Sequence, residues 1–277
     1  MYPGDEHTVA GDVRVLRGVG NAAVAARDVL VYLPPSYATA TWRRYPVLYL
    51  QDGQNVFDAA TSYAGEWGAD ETAGMLAGRG LEAILVAIPN AGKDRADEYS
   101  PFPLRPPSSR RNTQADAYLD YLLTVVKPAV DTSFRTDSTR EGSGIAGSSL
   151  GGLIALYACL ERPTAFGFCA ALSPALWPGR GRIFEIARGR REKQDPRPRV
   201  YLDAGQNEAG ERFVTQVRRM RDLLRDEGYD VAYVEDMQGQ HNEESWRRRF
   251  PAVLTWFLDP GLRPDDDGQG VLPGVPL

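Results

Sequence analysis

The sequence predicts an α/β fold in which one mostly parallel sheet is covered by helices on both faces. Short apolar strands alternate along the chain with helices that carry an apolar face. This alternation is typical of parallel strands joined by helical crossovers. The composition shows neither a repeat nor a break, so residues 1–277 are predicted to form one domain. Its core is expected at 12–258, followed by a tail at 259–277 that is rich in Pro, Gly and Asp.

The strands are predicted from two kinds of pattern. Near the N-terminus apolar and polar residues alternate, and a turn near Gly20 makes the first two strands an antiparallel pair. The later strands are continuous apolar runs, as expected for strands buried on both faces. In chain order, the predicted strands cover 12–19, 27–33, 46–50, 81–88, 144–148, 165–172, 199–202 and 229–235.

The helices are predicted from apolar residues that recur at i, i+3 and i+4. Residues 90–112 instead combine several prolines with many charges and are predicted to form a long irregular loop. Loops of this length often act as lids. The segment is therefore interpreted either as a lid over the site or as a solvated connection, and the sequence does not decide between the two. In chain order, the predicted helices cover 68–76, 115–130, 150–160, 183–191, 213–224 and 250–258.

The composition excludes several classes of function. A net charge of −5 at pH 7 argues against nucleic acid or an anionic membrane as the main partner, and no apolar run is long enough for a transmembrane helix. The first eleven residues contain no apolar segment of a signal peptide, so a cytoplasmic location is predicted. Cys159 and Cys169 lie among apolar residues and are predicted to be buried thiols. The oligomeric state is left open.

One motif organises the functional hypothesis. Gly147, Ser149 and Gly151 form a G-x-S-x-G pattern between an apolar strand and an apolar helix, which predicts a nucleophile elbow with Ser149 at its tip. A tight strand-to-helix turn lifts a serine hydroxyl clear of the chain, and glycines on either side leave room for the close approach of strand and helix. The helix N-terminus also favours negative charge on a bound substrate oxygen.

A serine nucleophile needs a base and an acid. The chain holds two histidines, and His241 is the candidate base because it follows the last strand and precedes the last helix. The acid should follow a strand between Ser149 and His241. Asp203 and Glu208 both follow the strand at 199–202 and stay open as alternatives, with Asp236 as a weaker third choice.

The oxyanion hole and the walls of the cleft are predicted from their positions after strands. Leu150, directly after the nucleophile, should supply one backbone N–H, and Gly53 or Gln54 in the loop after the strand at 46–50 should supply the other. No second histidine lies near His241 to build a metal site, and no dinucleotide or phosphate motif appears, so neither metal nor cofactor is expected. The predicted substrate-binding residues are Gly53, Trp67, Arg95, Tyr99 and Trp177.

Five stretches of the chain resemble a known family. The sequence is similar to the group of the α/β-hydrolase superfamily that includes esterase D-like, feruloyl, acetyl-xylan and enterochelin-type siderophore esterases. That resemblance implies the α/β-hydrolase fold, and it implies that Glu208, after the Gly205 turn, is the triad acid. The matching stretches are RDVLVYLPP at 27–35, YPVLYLQDGQN at 45–55, GSSLGG at 147–152, AGQNE at 204–208 and HNEESW at 241–246.

The expected activity is hydrolysis of a small-molecule carboxylic ester. Ser149 would attack the ester carbonyl with His241 as general base, Glu208 would orient His241, and water would then release the acyl group. Two alternatives are an acyltransferase that uses the same triad and an inactive binding protein on the same scaffold. Product analysis with added alcohols and labelling with a fluorophosphonate distinguish them.

Overall fold

The structure is a computed structural model that describes residues 7–104, 113–189, 196–208 and 210–264. Within these ranges eight strands form one sheet. The strands are β1 Asp12–Val19, β2 Arg27–Leu33, β3 Val47–Gln51, β4 Ile84–Ile88, β5 Ser143–Ser148, β6 Phe168–Leu172, β7 Arg199–Gly205 and β8 Val231–Asp236.

The sheet has the order β1-β2-β4-β3-β5-β6-β7-β8. The pairs β1–β2 and β2–β4 are antiparallel, and every later pair from β4–β3 to β7–β8 is parallel. The predicted mostly parallel sheet is therefore confirmed. The carboxyl ends of β3, β5, β6, β7 and β8 lie at one edge of the sheet, where the loops of α/β proteins carry ligand sites.

Helices cover both faces of the sheet. One face packs against α3, α5, α7 and α8, and the other packs against α1 and α9. The helices are α1 Ala69–Ala77, α2 Arg95–Tyr99, α3 Ala115–Tyr121, which continues through a π-helical turn at Leu122–Val126 into α4 Lys127–Ser133, α5 Leu150–Glu161, α6 Pro178–Gly181, α7 Ile183–Gly189, α8 Glu211–Asp226 and α9 Glu243–Leu258. None of the helices in the described ranges is both long and apolar enough to cross a membrane.

Two elements differ from the sequence prediction. The loop at 90–112 is not irregular throughout, because it contains the short helix α2; its residues 105–112 lie outside the described ranges. The last helix begins at Glu243 rather than near 250, because the side chain of Asn242 caps it by accepting a hydrogen bond from the amide of Ser245 at 3.0 Å. Residues 265–277 of the predicted tail also lie outside the described ranges.

Asp70, in the first turn of α1, is a buried carboxyl with an incomplete set of partners. One oxygen accepts a hydrogen bond from the amide of Ala10 at 2.6 Å, and the other has no partner among the described residues. Burial raises the pKa of Asp70 to about 7, and the neighbouring Glu71 acts in the same direction. The folded protein therefore retains a proton on Asp70 at a pH where the unfolded chain has released it.

Asp70→Asn should change how stability depends on pH. Because the pKa of Asp70 is raised in the folded state, the contribution of this carboxyl to the free energy of unfolding is fully present below about pH 4. It is lost as pH rises towards 7. Asparagine does not titrate, so the free energy of unfolding of the variant relative to wild type should increase between pH 5 and pH 8. Urea unfolding at both pH values measures this, with the exposed Asp12→Asn as control. An equal change in both variants would contradict the assignment.

Candidate active site

Ser149 lies at a strained turn between β5 and α5. Its backbone has φ 55° and ψ −119°, a conformation that a side-chain-bearing residue adopts only where the surroundings impose it. A Cβ on Gly147 would lie 2.5 Å from the carbonyl carbon of Gly151, and a Cβ on Gly151 would lie 3.0 Å from Asp52 Oδ2. Gly147 is thus required for the close approach of strand and helix, and Gly151 leaves room for the side chain of Asp52. The strand, turn and helix occur in the predicted order.

His241 lies in the loop between β8 and α9, with its Nε2 3.0 Å from Ser149 Oγ. The rings of Trp246 and Phe213 meet the imidazole edge-on, with centroid distances of 5.2 and 5.9 Å. These contacts hold the plane of the imidazole ring. The side chain remains 39% exposed, so it faces the cleft while its orientation is fixed by apolar neighbours.

Glu208 is the carboxylate that contacts the histidine. Its Oε2 lies 2.9 Å from His241 Nδ1, within the usual range of a hydrogen bond. Asp203, the alternative acid within β7, is turned into the core. Its Oδ1 accepts from the amide of Ser173 at 2.7 Å, and its Oδ2 lies 3.3 Å from Arg249 Nε. The two carboxylates that follow 199–202 are therefore not equivalent in position.

Asp236, the third candidate acid, stabilises the loop that carries His241 without contacting the imidazole. Its carboxylate accepts from the amide of Gln238 at 3.0 Å and pairs with Arg248 at 3.3 Å. Its backbone carbonyl accepts from the amide of Gly239 at 3.1 Å. These contacts shape the turn between β8 and α9.

Two residues that contact Glu208 are not among the site residues predicted from the sequence. Ser173, directly after β6, has φ 41° and places its hydroxyl 2.6 Å from Glu208 Oε1. Arg249 of α9 reaches the same carboxylate, with its Nη2 3.5 Å from Oε1. No local pattern marks Ser173. Arg249 is a charged residue on the buried face of α9. Charged residues are seldom buried unless they are paired, so its position in the helical pattern is the signal by which the sequence could have identified it.

Of the predicted oxyanion-hole donors, Leu150 directly follows the nucleophile in the chain. Leu150 is the first residue of α5, where backbone N–H groups have no acceptor within the helix. Gln54 lines the cleft together with Ser149. Its carbonyl accepts from Thr61 Oγ1 at 2.7 Å, and its side-chain Oε1 accepts from the amide of Asn90 at 3.2 Å. These bonds fix the orientation of the Gln54 backbone.

The loop before Gln54 is held in place from two sides. A Cβ on Gly53 would lie 2.5 Å from the carbonyl carbon of Ala87, so only glycine fits this close to β4. The guanidinium of Arg95 donates to both oxygens of Asp52, at 2.6 and 2.7 Å. Gly53 is thus a packing residue, and Arg95 both fixes the loop and lines the cleft.

The cleft has two arms that meet at Ser149 and His241. The smaller arm, of about 470 Å³, has an aromatic wall that includes the predicted Trp177. The larger arm, of about 970 Å³, is lined for the most part by residues with polar side chains. The smaller arm is lined by residues that include Ala175, Trp177, Asn207, Phe213 and Gln240, and the larger by residues that include Gln54, Thr61, Tyr63, Asn90, Arg95 and Glu243.

The structure corrects the predicted roles of Trp67 and Tyr99 as cleft walls. Trp67 is 2% exposed and packs against Trp246 and Phe250 in the core beneath the site. Tyr99 is fully buried, and its hydroxyl accepts a hydrogen bond from the amide of Asp52 at 3.1 Å. Both aromatic rings support the loops of the site from behind.

A family model described as Putative esterase matches residues 21–257, which include the elbow and the loops of Glu208 and His241. The chain belongs to the putative esterase family. It is a carboxylic ester hydrolase, and its sheet is that of the α/β-hydrolase type.

This esterase is similar to several known proteins. The uncharacterized protein YbbA of Bacillus subtilis is 25% identical over 246 residues, which cover 83% of this chain and 92% of YbbA. The siderophore triacetylfusarinine C esterase of Aspergillus fumigatus is 34% identical over 136 residues, or 48% of this chain and 44% of that protein. The enterobactin esterase of Shigella flexneri shares the fold, with a TM-score of 0.70 and 21% identity over 91% of this chain and 61% of its own.

Proposed function

We propose that this esterase is a serine hydrolase in which Ser149, His241 and Glu208 form a catalytic triad that works through an acyl-enzyme. The proposal rests on the continuous contacts that join the three side chains. Ser149 Oγ lies 3.0 Å from His241 Nε2, and His241 Nδ1 lies 2.9 Å from Glu208 Oε2. A nucleophile, a base and an orienting acid within hydrogen-bond reach of one another are the geometric signature of such a triad.

In the first half of the reaction, Ser149 Oγ attacks the carbonyl carbon of the ester while His241 Nε2 takes the hydroxyl proton. The carbonyl oxygen becomes an oxyanion that accepts hydrogen bonds from the N–H groups of Leu150 and Gln54. When the tetrahedral intermediate collapses, the bond to the alcohol oxygen breaks and His241 returns the proton to the departing alcohol. Glu208 accepts the Nδ1 hydrogen throughout and balances the charge of the transient imidazolium.

In the second half, water takes the place of the alcohol. His241 removes a proton from the water, the resulting hydroxide attacks the acyl carbon, and Ser149 is released with its proton restored. The two arms of the cleft meet at Ser149, so the acyl and alcohol parts of a small-molecule ester find separate places on either side of the nucleophile.

Labelling with a fluorophosphonate tests the proposal. The phosphorus reagent should react once per chain, inactivate the enzyme, and appear on Ser149 in peptide mapping that distinguishes this residue from Ser148. With a model ester and an added alcohol, the main product should be the free acid rather than a new ester. An active protein that takes up no label, or takes it up on another residue, would contradict the assignment of Ser149.

A further inference from the structure

A buried arginine lies between Asp203, near the carboxyl end of β7, and Glu208, which follows β7. Arg249 Nε lies 3.3 Å from Asp203 Oδ2, and its Nη2 lies 3.5 Å from Glu208 Oε1. The side chain of Arg249 is 4% exposed, and those of Asp203 and Glu208 are fully buried. Charges removed from water to this degree are found where they are paired, and the pairing here includes the acid that contacts His241.

Ser173 connects the arginine to that acid. Its Oγ accepts hydrogen bonds from Arg249 Nη2 at 2.9 Å and from Trp246 Nε1 at 3.0 Å. A hydroxyl has one hydrogen of its own, and the two nitrogen donors leave that hydrogen to be donated to Glu208 Oε1, 2.6 Å away. The direction of the Ser173–Glu208 bond is therefore set by Arg249 and Trp246.

The two oxygens of Glu208 have different hydrogen-bond partners. Oε1 accepts from Ser173 Oγ at 2.6 Å and from the amide of Gly205 at 2.7 Å. Oε2 is then directed to His241 Nδ1. Ser173 itself is held at φ 41°, a strained conformation for a serine, and strain of this kind is commonly retained at functional sites.

The charges of the group depend on one another. Burial raises the pKa of Asp203 to about 6, although Arg249 opposes the shift, and Glu208 adds to it. Burial lowers the pKa of Arg249, but Asp203, Tyr201, Glu208 and Asp236 outweigh it and the net change is upward. Another acid, Glu243 at the start of α9, lines the same arm of the cleft as His241. Without the guanidinium, two buried carboxylates would lie together with no positive charge between them.

We propose that Arg249 is a positioning residue for ester hydrolysis. Through Ser173 it orients Glu208 toward His241, and it offsets the second buried carboxylate of Asp203, which in turn anchors the guanidinium. This inference rests on the proposed triad. It assigns to Arg249 a role in turnover beyond that of an ion pair that stabilises the fold.

The test compares Arg249→Met, Arg249→Lys and the double variant Asp203→Asn/Arg249→Met. In Arg249→Met, kcat should fall by about a hundredfold with little change in KM, because the acid is misplaced and the substrate contacts are intact. The acid limb of kcat/KM against pH should move to higher pH, because the carboxylates left behind favour the protonated imidazole. Arg249→Lys should restore part of kcat, since an ammonium supplies the charge without the fork geometry.

The double variant keeps the test decisive if Arg249→Met folds poorly, because it removes one negative and one positive charge together. It should return the acid limb toward its wild-type position while kcat stays low. Arg199→Met is the matched control, since Arg199 joins the same two elements at the opposite end of β7 by donating to the carbonyls of Trp256 and Phe257. It should lower stability and leave kcat and the pH profile unchanged.

The outcomes separate this inference from the proposed function. If wild type is labelled on Ser149 but the folded Arg249 variants keep wild-type kcat and pH profile, the positioning role is overturned and the triad stands. If the Arg249 and Arg199 variants lose activity only in proportion to lost folded protein, Arg249 is merely structural. If wild type is not labelled on Ser149, the triad itself fails.

Discussion

Ser149→Ala should remove ester hydrolysis, with kcat falling by roughly five to six orders of magnitude. The hydroxyl oxygen is the atom that bonds to the acyl group, and no neighbouring group replaces it in that step. The substitution removes one oxygen at a partly exposed position, so it opens no cavity in the core. The fold and the thermal midpoint should remain close to wild type. Steady-state kinetics with a chromogenic ester and thermal unfolding by circular dichroism measure the two effects.

Ser143→Ala is the matched control for this experiment. Ser143 lies at the opposite end of the same strand, β5, and its hydroxyl donates to the carbonyl of Thr139 at 2.8 Å. Loss of that bond should cost about 1 kcal/mol of stability and leave kcat unchanged. A Ser149→Ala protein that is folded and retains near-normal turnover would refute the nucleophile assignment.

The central part of the fold could be predicted because its signals are local. β3 and β4 are apolar runs followed by turn residues, as is typical of strands covered on both faces. The helix α2 could not be predicted from its own five residues. It is set by distant contacts, since Arg95 pairs with Asp52 and the hydroxyl of Tyr99 accepts from the Asp52 amide. Tertiary contacts of this kind override weak local preference.

The residues of the site also divide into those with a local sequence signal and those that depend on tertiary contacts. The pattern around Ser149 and the position of His241 are visible in the sequence, because each follows a strand at the same edge of the sheet. The family resemblance implies Glu208 rather than Asp203 as the acid, and the pattern alone leaves both open, since both follow the strand predicted at 199–202. The link from Ser173 to Arg249 spans 76 positions, and no periodicity connects residues so far apart. The prediction that Trp67 lines the cleft was wrong, because an aromatic side chain suits a buried core as well as the wall of a cleft.

Glu208→Gln should lower kcat by roughly three to four orders of magnitude while the protein stays folded. In wild type, Glu208 Oε1 accepts from Gly205 N and Ser173 Oγ, and Oε2 faces His241. In the variant the amide oxygen should take the position with two donors, which leaves the amide NH₂ facing Nδ1. The imidazole must then carry its hydrogen on Nε2, where it points at Ser149 and can no longer accept the hydroxyl proton.

Asp203→Asn is the comparison that decides which carboxylate is the acid, because it removes the same charge from a buried side chain only five positions away. Its amide oxygen can still accept from the amide of Ser173, and its NH₂ would then face Arg249 Nε, donor against donor. The loss should therefore fall on the free energy of unfolding more than on turnover, with kcat well above that of Glu208→Gln. Urea unfolding and kcat, measured on both variants, separate the two effects. A larger loss of kcat in folded Asp203→Asn than in Glu208→Gln would make Asp203 the acid, in contradiction to the contact between Glu208 and His241.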